Sequence, residues 1–233
     1  MTVTAKPATR RNAAPSSLDR IAAWIFDLDN TLYPAECNLF AQIDARIGQF
    51  IANRLGLNPT AARLLQKQLF HRHGTTMRGL MLEHGVAPEP FLEYVHDIDF
   101  APLPRRRALA DALARLPGRK IVYTNASAVY AGRVLGELGV RRHFEAIFAI
   151  ADADYVPKPD PRSYRRMIER HAIAPDTAAM IDDLPRNLEP AAGLGMTTVW
   201  VAGPARDGGP TPAYIHHVAD DLLGWLEAIN AAD

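Results

Sequence analysis

Residues 21–26 read Ile-Ala-Ala-Trp-Ile-Phe, an apolar run that stops abruptly at Asp27. A short run without polar alternation suits a strand covered on both faces, as in a parallel sheet, and puts Asp27 at its carboxyl end. The period then changes. Between residues 37 and 55, Phe40, Ile43, Ile47, Phe50, Ile51 and Leu55 recur at three- and four-residue spacing, which predicts an amphipathic helix. Asn58-Pro59 offers an N-cap followed by proline at the first helical position, opening a second helix through Leu64, Leu65 and Leu69. Two shorter helices are expected over residues 77–83 and 89–95. Residues 36–100 therefore read as an inserted, all-helical domain.

Past Pro104 helices and strands alternate. A helix through Leu109, Leu113 and Leu116 precedes a strand over residues 120–123, and a helix through Val134 and Leu138 precedes a strand over 146–150. A helix over 161–171 and strands over 178–181 and 197–202 follow. Alternation of this kind predicts an α/β fold with about five parallel strands, helices on both faces and a crevice beyond the carboxyl ends of the strands. The expected organisation is a core of residues 21–35 and 101–233, the helical insertion of 36–100, and a tail of residues 1–20. The tail is rich in Ala, Pro, Ser, Thr and Arg and lacks the apolar surface needed to pack.

Composition narrows the classes. The 26 basic residues balance 26 acidic ones, so the totals suggest no nucleic-acid partner. One cysteine, Cys37, excludes an internal disulfide framework and fits a reducing compartment. No stretch approaches the roughly 20 apolar residues of a membrane span. A cytoplasmic protein without membrane contact, monomeric or homodimeric, is expected.

Four chemical features fall just past expected strands: Asp27-Leu28-Asp29-Asn30-Thr31, Thr124-Asn125, Lys158-Pro159 and Asp182-Asp183. In a parallel sheet they converge on one rim, and together they suit phosphoryl transfer. A phosphate ester repels anionic attack, so its hydrolysis needs counter-charge, in-line geometry and a proton for the leaving oxygen. Asp27 is the candidate nucleophile and Asp29 the candidate acid and base. Clustered carboxylates call for a hard cation, magnesium before zinc, held by Asp27, the backbone carbonyl of Asp29 and Asp183, with Asp182 assisting. Thr124 and the amides near Asn125 and Ala126, at the start of the next helix, can grip phosphate oxygens. Lys158 can sit between Asp27 and the phosphoryl group.

Taken singly, each feature has a plain structural reading. Asp-x-Asp-x-Thr can be a turn, Asp182-Asp183 an N-cap, Lys158-Pro159 and Thr124-Asn125 ordinary loops. Four of them in this order make the catalytic reading the better one. The order resembles the haloacid dehalogenase superfamily, whose phosphatases carry an Asp-x-Asp-x-Thr signature, then Thr or Ser, then Lys, then an acidic pair. The resemblance implies a Rossmann-like core and a helical cap over residues 36–100. Asp27-Leu28-Asp29-Asn30-Thr31-Leu32-Tyr33-Pro34, with Asn30 where many members have glycine, resembles the pyrimidine 5'-nucleotidase subgroup. It implies a nucleoside monophosphate, UMP or CMP, as the small phosphate ester. Phosphoglycolate or sugar-phosphate hydrolysis and phosphomutase activity are alternatives on the same machinery. A dehalogenase needs no second acid, so Asp29 argues against it; an inactive binding scaffold would not keep the full set of groups.

Substrate contacts are sought in the insertion, with Phe40, Phe70, Phe91 and Tyr94 as stacking surfaces and Gln42, Asn53, Gln66 and Gln68 as amide partners, although apolar residues at helical spacing are usually core. His71 and His73 read as surface groups, and Arg105-Arg106-Arg107 as a solvated helix start. Gly193 and Gly195 read as a helix stop.

Overall fold

A computed structural model of the chain describes residues 18–203 and 209–231. The expected tail lies almost wholly outside them. Six strands form one parallel sheet: β1 (Ala23–Phe26), β2 (Arg119–Tyr123), β3 (Ala146–Phe148), β4 (Ala178–Asp182), β5 (Thr197–Val201) and β6 (His217–Ala219). Their spatial order is β3-β2-β1-β4-β5-β6. The chain thus builds outward from β1 to β3, returns to the other side of β1 and builds outward again. The order reverses between β1 and β4, the place where a doubly wound sheet opens a crevice.

The apolar run of β1 is buried along its whole length, and its period of two sorts the side chains onto the two sheet faces. Trp24 and Phe26 join one cluster with Leu109, Leu113, Val134 and Leu226. They are contributed by α5 (Arg107–Arg115), α6 (Ala128–Leu138) and α9 (Leu222–Asn230). Ala23 and Ile25 join the other, with Tyr164 and Met167 of α7 (Pro161–His171) and Leu188 and Ala191 of α8 (Pro185–Gly193). Both faces are covered, as the unbroken hydrophobic run requires.

Between β1 and α5 lie α1 (Leu39–Leu55), α2 (Pro59–His73), α3 (Thr76–His84) and α4 (Pro88–His96). Asn58 caps α2 by accepting a hydrogen bond from the Ala61 amide at 2.9 Å, with Pro59 opening the helix as its sequence predicts. The start of α1 differs from the expectation. A 3-10 turn occupies Ala35–Cys37 and Asn38 sits in the left-handed region, φ 56°, so the helix begins at Leu39. The first apolar cluster continues from the sheet into these helices through Leu32, Leu39, Ile43, Leu69, Leu80 and Phe91. The sixth strand and α9 are not predicted by the pattern. Among the described residues no helix is long and apolar enough to cross a membrane.

Candidate active site

The sheet carries its hydrogen-bond ladder one residue past β1 and β2. The Asp27 amide donates to the Ile181 carbonyl at 2.9 Å and the Thr124 amide to that of Phe148 at 3.0 Å. Those bonds fix the residues that follow each strand, so Asp27 and Thr124 inherit the rigidity of the sheet. Asp182 is the last residue of β4 and is fully buried. Lys158 arrives from the loop between β3 and α7 and is 2% exposed.

Lys158 holds this rim together. Its Nζ donates to Asp27 Oδ1 and Asp182 Oδ2, both at 2.7 Å, and to the Tyr123 carbonyl at 3.1 Å. All three ammonium protons therefore have an acceptor. Lys158 bridges the two aspartates. Its loop is pinned by Asn125, whose Oδ1 accepts from the Lys158 amide at 2.8 Å and whose Nδ2 donates to the Lys158 carbonyl at 3.3 Å. The Asn125 side chain thus serves the lysine loop.

The Thr124 hydroxyl, 1% exposed, accepts from the Ala126 amide at 3.0 Å. Helix α6 starts two residues later than its expected origin near Ala126, with Ser127 as N-cap accepting from the Tyr130 amide. The Ala126 amide is therefore committed to Thr124. The amides at the helix start are those past Ser127.

Four polar residues given no role in the sequence reading complete the network. Thr31 Oγ1 donates to Asp27 Oδ2 at 3.0 Å, so both Asp27 carboxylate oxygens are oriented. Asn187, one turn into α8, donates to Asp182 Oδ1 and Oδ2 at 2.9 and 3.1 Å, and the Leu184 amide adds a bond to Oδ1 at 2.9 Å. Tyr33 and Tyr130 donate to Asp29 Oδ1 at 2.5 and 2.8 Å. The Asn30 signature has a backbone reason: its φ of 61° is left-handed, where glycine and asparagine are the residues best tolerated.

Charge in this cluster is unbalanced. Burial pushes the Asp27 carboxyl well up against the pull of Lys158, and Asp182, Asp183 and Asp29 add to the rise. Asp183 is pushed up to about 7, by burial first and by Asp182 next. Burial also raises Asp29, against its two phenol bonds. For Lys158 burial works against the charge, yet Asp182 and Asp27 outweigh it and hold the ammonium above its ordinary value. Carboxylate oxygens of Asp27, Asp182 and Asp183 lie within 4.8 Å of one another. A largely buried, all-oxygen donor set in which the Asp27 and Asp183 carboxyls are raised lacks counter-charge, and a hard divalent cation fits that need.

Phe91 is buried against Phe50, and Tyr94 also packs on Phe50. Gln66 is spent on Asp44, and Gln42 on the Asp99 backbone. Phe40 is exposed. Phe70 stands out, 36% exposed with the Arg186 guanidinium 5.0 Å from its ring centre. On α4, Glu89 accepts from the Tyr155 hydroxyl at 2.5 Å. Arg106 departs from the expected solvated helix start: half-buried, it donates to the Leu32 carbonyl at 3.0 Å and ties the first motif to the start of α5.

Comparison with known proteins gives the family and the fold. A family model described as haloacid dehalogenase-like hydrolase matches residues 21–195. A phosphoglycolate phosphatase from Neisseria gonorrhoeae is 24% identical over 201 residues, covering 80% of this chain and 82% of its own. An HAD phosphatase from Thermococcus onnurineus superposes with a TM-score of 0.58 at 21% identity, over 90% of this chain and 97% of the other. The L-2-haloacid dehalogenase from Xanthobacter autotrophicus gives 0.55 at 15% identity, over 91% and 100%. Phosphatase and dehalogenase share the fold, so the fold alone does not separate the two chemistries.

Proposed function

We infer, from the premise that this chain belongs to the haloacid dehalogenase-like hydrolase family, that it is a magnesium-dependent phosphomonoesterase working through a phosphorylated Asp27. The observation that carries this reading is the second acid. Asp29 lies two residues beyond the nucleophile and is oriented by two phenols, whereas hydrolysis at carbon needs no acid there. Asp27 attacks phosphorus and the ester oxygen leaves, taking a proton from Asp29. Asp29 then removes a proton from water, the water oxygen attacks phosphorus, and Asp27 is regenerated as phosphate departs.

Lys158 neutralises part of the charge on Asp27 and Asp182, and Thr31 fixes the other Asp27 oxygen. Thr124 and the amides of the first turn of α6 face the phosphoryl oxygens. Asp27, Asp183 and the backbone carbonyl of Asp29 would hold magnesium, with Asp182 orienting the group. Magnesium would supply the counter-charge that lets two anions meet. Helices α1 to α4 form a cap that chooses the leaving group, with Phe70, whose ring lies beside Arg186 of the core, as its candidate contact.

The Asn30 and Tyr33-Pro34 form of the first motif supports pyrimidine nucleoside 5'-monophosphates as substrates. A second reading, phosphoglycolate, is supported by the relative of that name from Neisseria gonorrhoeae. Phosphate release from an aryl phosphate with magnesium, beside chloride release from a 2-haloacid, tests the reaction type: chloride without phosphate refutes it. Catalytic efficiencies for UMP, CMP, AMP, phosphoglycolate and a hexose phosphate test the substrate; if UMP and CMP are not among the best, the nucleotidase reading fails.

A further inference from the structure

The two phenols on Asp29 come from distant parts of the chain. Tyr33 follows the nucleophile loop, Tyr130 lies in the first turn of α6, and their hydroxyl oxygens are 3.2 Å apart. Each hydroxyl has one proton. With both protons donated to Asp29 Oδ1, at 2.5 and 2.8 Å, none lies between the phenols, and both lone-pair positions of that oxygen are filled. A proton on Asp29 then belongs on Oδ2. Both tyrosines are at most 2% exposed, and burial drives their own acidity far out of the working range, so they remain neutral donors.

The Tyr130 ring is itself held. The His96 imidazole stacks on it at 4.4 Å and 19°, and Phe100 packs at 5.8 Å. His96 Nδ1 lies 3.0 Å from Ser127 Oγ, the N-cap of the helix that carries Tyr130. His96 is the last residue of α4. One end of the helical insertion is thus seated on the side chain that orients Asp29.

We propose that Tyr33 and Tyr130 are positioning residues for proton transfer: they occupy Asp29 Oδ1 so that the transferable proton is carried on Oδ2, and His96 joins that orientation to α4. This rests on the reading of Asp29 as the acid and base. Phenylalanine at either position keeps the ring and removes the proton that fixes the carboxylate. Asp29 is then free to turn either oxygen inward, and the proton is misplaced for part of the time.

The test uses leaving-group sensitivity, which a purely structural role does not alter. First-step rates for the magnesium-loaded Tyr33→Phe, Tyr130→Phe and double variants are measured in single-turnover mixing, with p-nitrophenyl phosphate and with an alkyl phosphate such as glycerol phosphate. A p-nitrophenolate leaves with little help from an acid; an alkoxide does not. The double variant is expected to lose about tenfold or more on the alkyl phosphate and less than about threefold on the aryl one, against a whole acid contribution of 10²–10⁴-fold. Equal losses on both substrates, or no loss on either, overturn the proposal. The single variants carry the same ratio if the double one does not fold. Asp29→Asn run alongside separates the failures: without a leaving-group-dependent loss there, the acid assignment itself falls, and with one there but none in the tyrosine variants, only the positioning role falls.

Discussion

The carboxyl rim of the sheet and the helices that face it treat polar groups in opposite ways. At the rim, Asp27, Asp182 and Lys158 are buried and bonded to one another, and Asn125 and Asn187 are spent holding them. In α1 to α4 the polar groups mostly bond among themselves, as in Arg63 with Asp44 and His73 with Glu83. Beyond the shared apolar cluster, their side chains meet the core in single pairs such as Phe70 with Arg186, Glu89 with Tyr155 and His96 with Ser127. A buried network with every member satisfied is rigid, and removing one member strands the others. Exposed positions outside such a network can change their residues, and with them a ligand, at little cost to the fold. On the proposed function, the chemistry is fixed in one region and the choice of substrate is left to the other.

The sharpest break in that contrast is Asp27→Asn, which should lower turnover by about 10⁴-fold or more, as loss of a nucleophile does elsewhere. Steady-state phosphate release measures it, and a variant retaining a few per cent of activity would remove Asp27 from its role. Chelation should abolish activity and magnesium restore it. The same cation should register in stability. The Asp183 carboxyl rises from 3.8 to about 7 on folding, so its contribution to stability is complete below about pH 4 and is lost as the pH climbs through about 7. Magnesium binding requires the ionised form, so the rise in Tm that magnesium produces should be larger at pH 8 than at pH 5. Equal rises at both values would mean that Asp183 is not at the cation site.

A smaller effect is expected at Asn187, whose amide bonds both Asp182 oxygens. Asn187→Ala leaves a buried charge short of donors and should cost about 1–3 kcal/mol, read from chemical denaturation. An unchanged midpoint would show that the network tolerates gaps. The smallest structural effect belongs to the insertion. Phe70→Ala should leave stability within about 0.5 kcal/mol, as surface changes do, while raising KM several-fold, by about 1 kcal/mol of lost contact, for a nucleoside monophosphate and not for a small alkyl phosphate. A uniform change in KM across substrates would deny Phe70 a part in selection.

The legible parts of the molecule are those where a local pattern has a single physical cause. An apolar run ending in Asp27 can only be a covered strand ending at a polar rim, and Thr124, Lys158 and Asp182 were placed by the same alternation of strand and helix. The partners of those residues were not legible. Asn187 reaches Asp182 because α8 folds back over β4, and Tyr130 reaches Asp29 from 101 positions away. Nothing in the spacing announces either. β6 is a three-residue strand at the sheet edge, only partly buried and too short to show a period. Arg106 looked like one of three surface arginines, and only the path of the first motif shows which of them turns inward. Within the insertion, periodicity marks Phe91 and Phe70 alike as apolar positions and does not show that Phe91 is buried while Phe70 and Phe40 are exposed.

The identity of the phosphorylated residue is the most direct test of the proposed chemistry. The protein is mixed with magnesium and an aryl phosphate labelled at phosphorus, quenched in acid within a turnover and digested, and the labelled peptide is sequenced. Asp29→Asn is run in parallel so that the intermediate accumulates when its hydrolysis loses its base. Hydroxylamine-labile label is expected on the peptide containing Asp27, in larger amount in the Asp29→Asn protein. Turnover with no acyl phosphate in either protein, or with the label on any other residue, would contradict that chemistry.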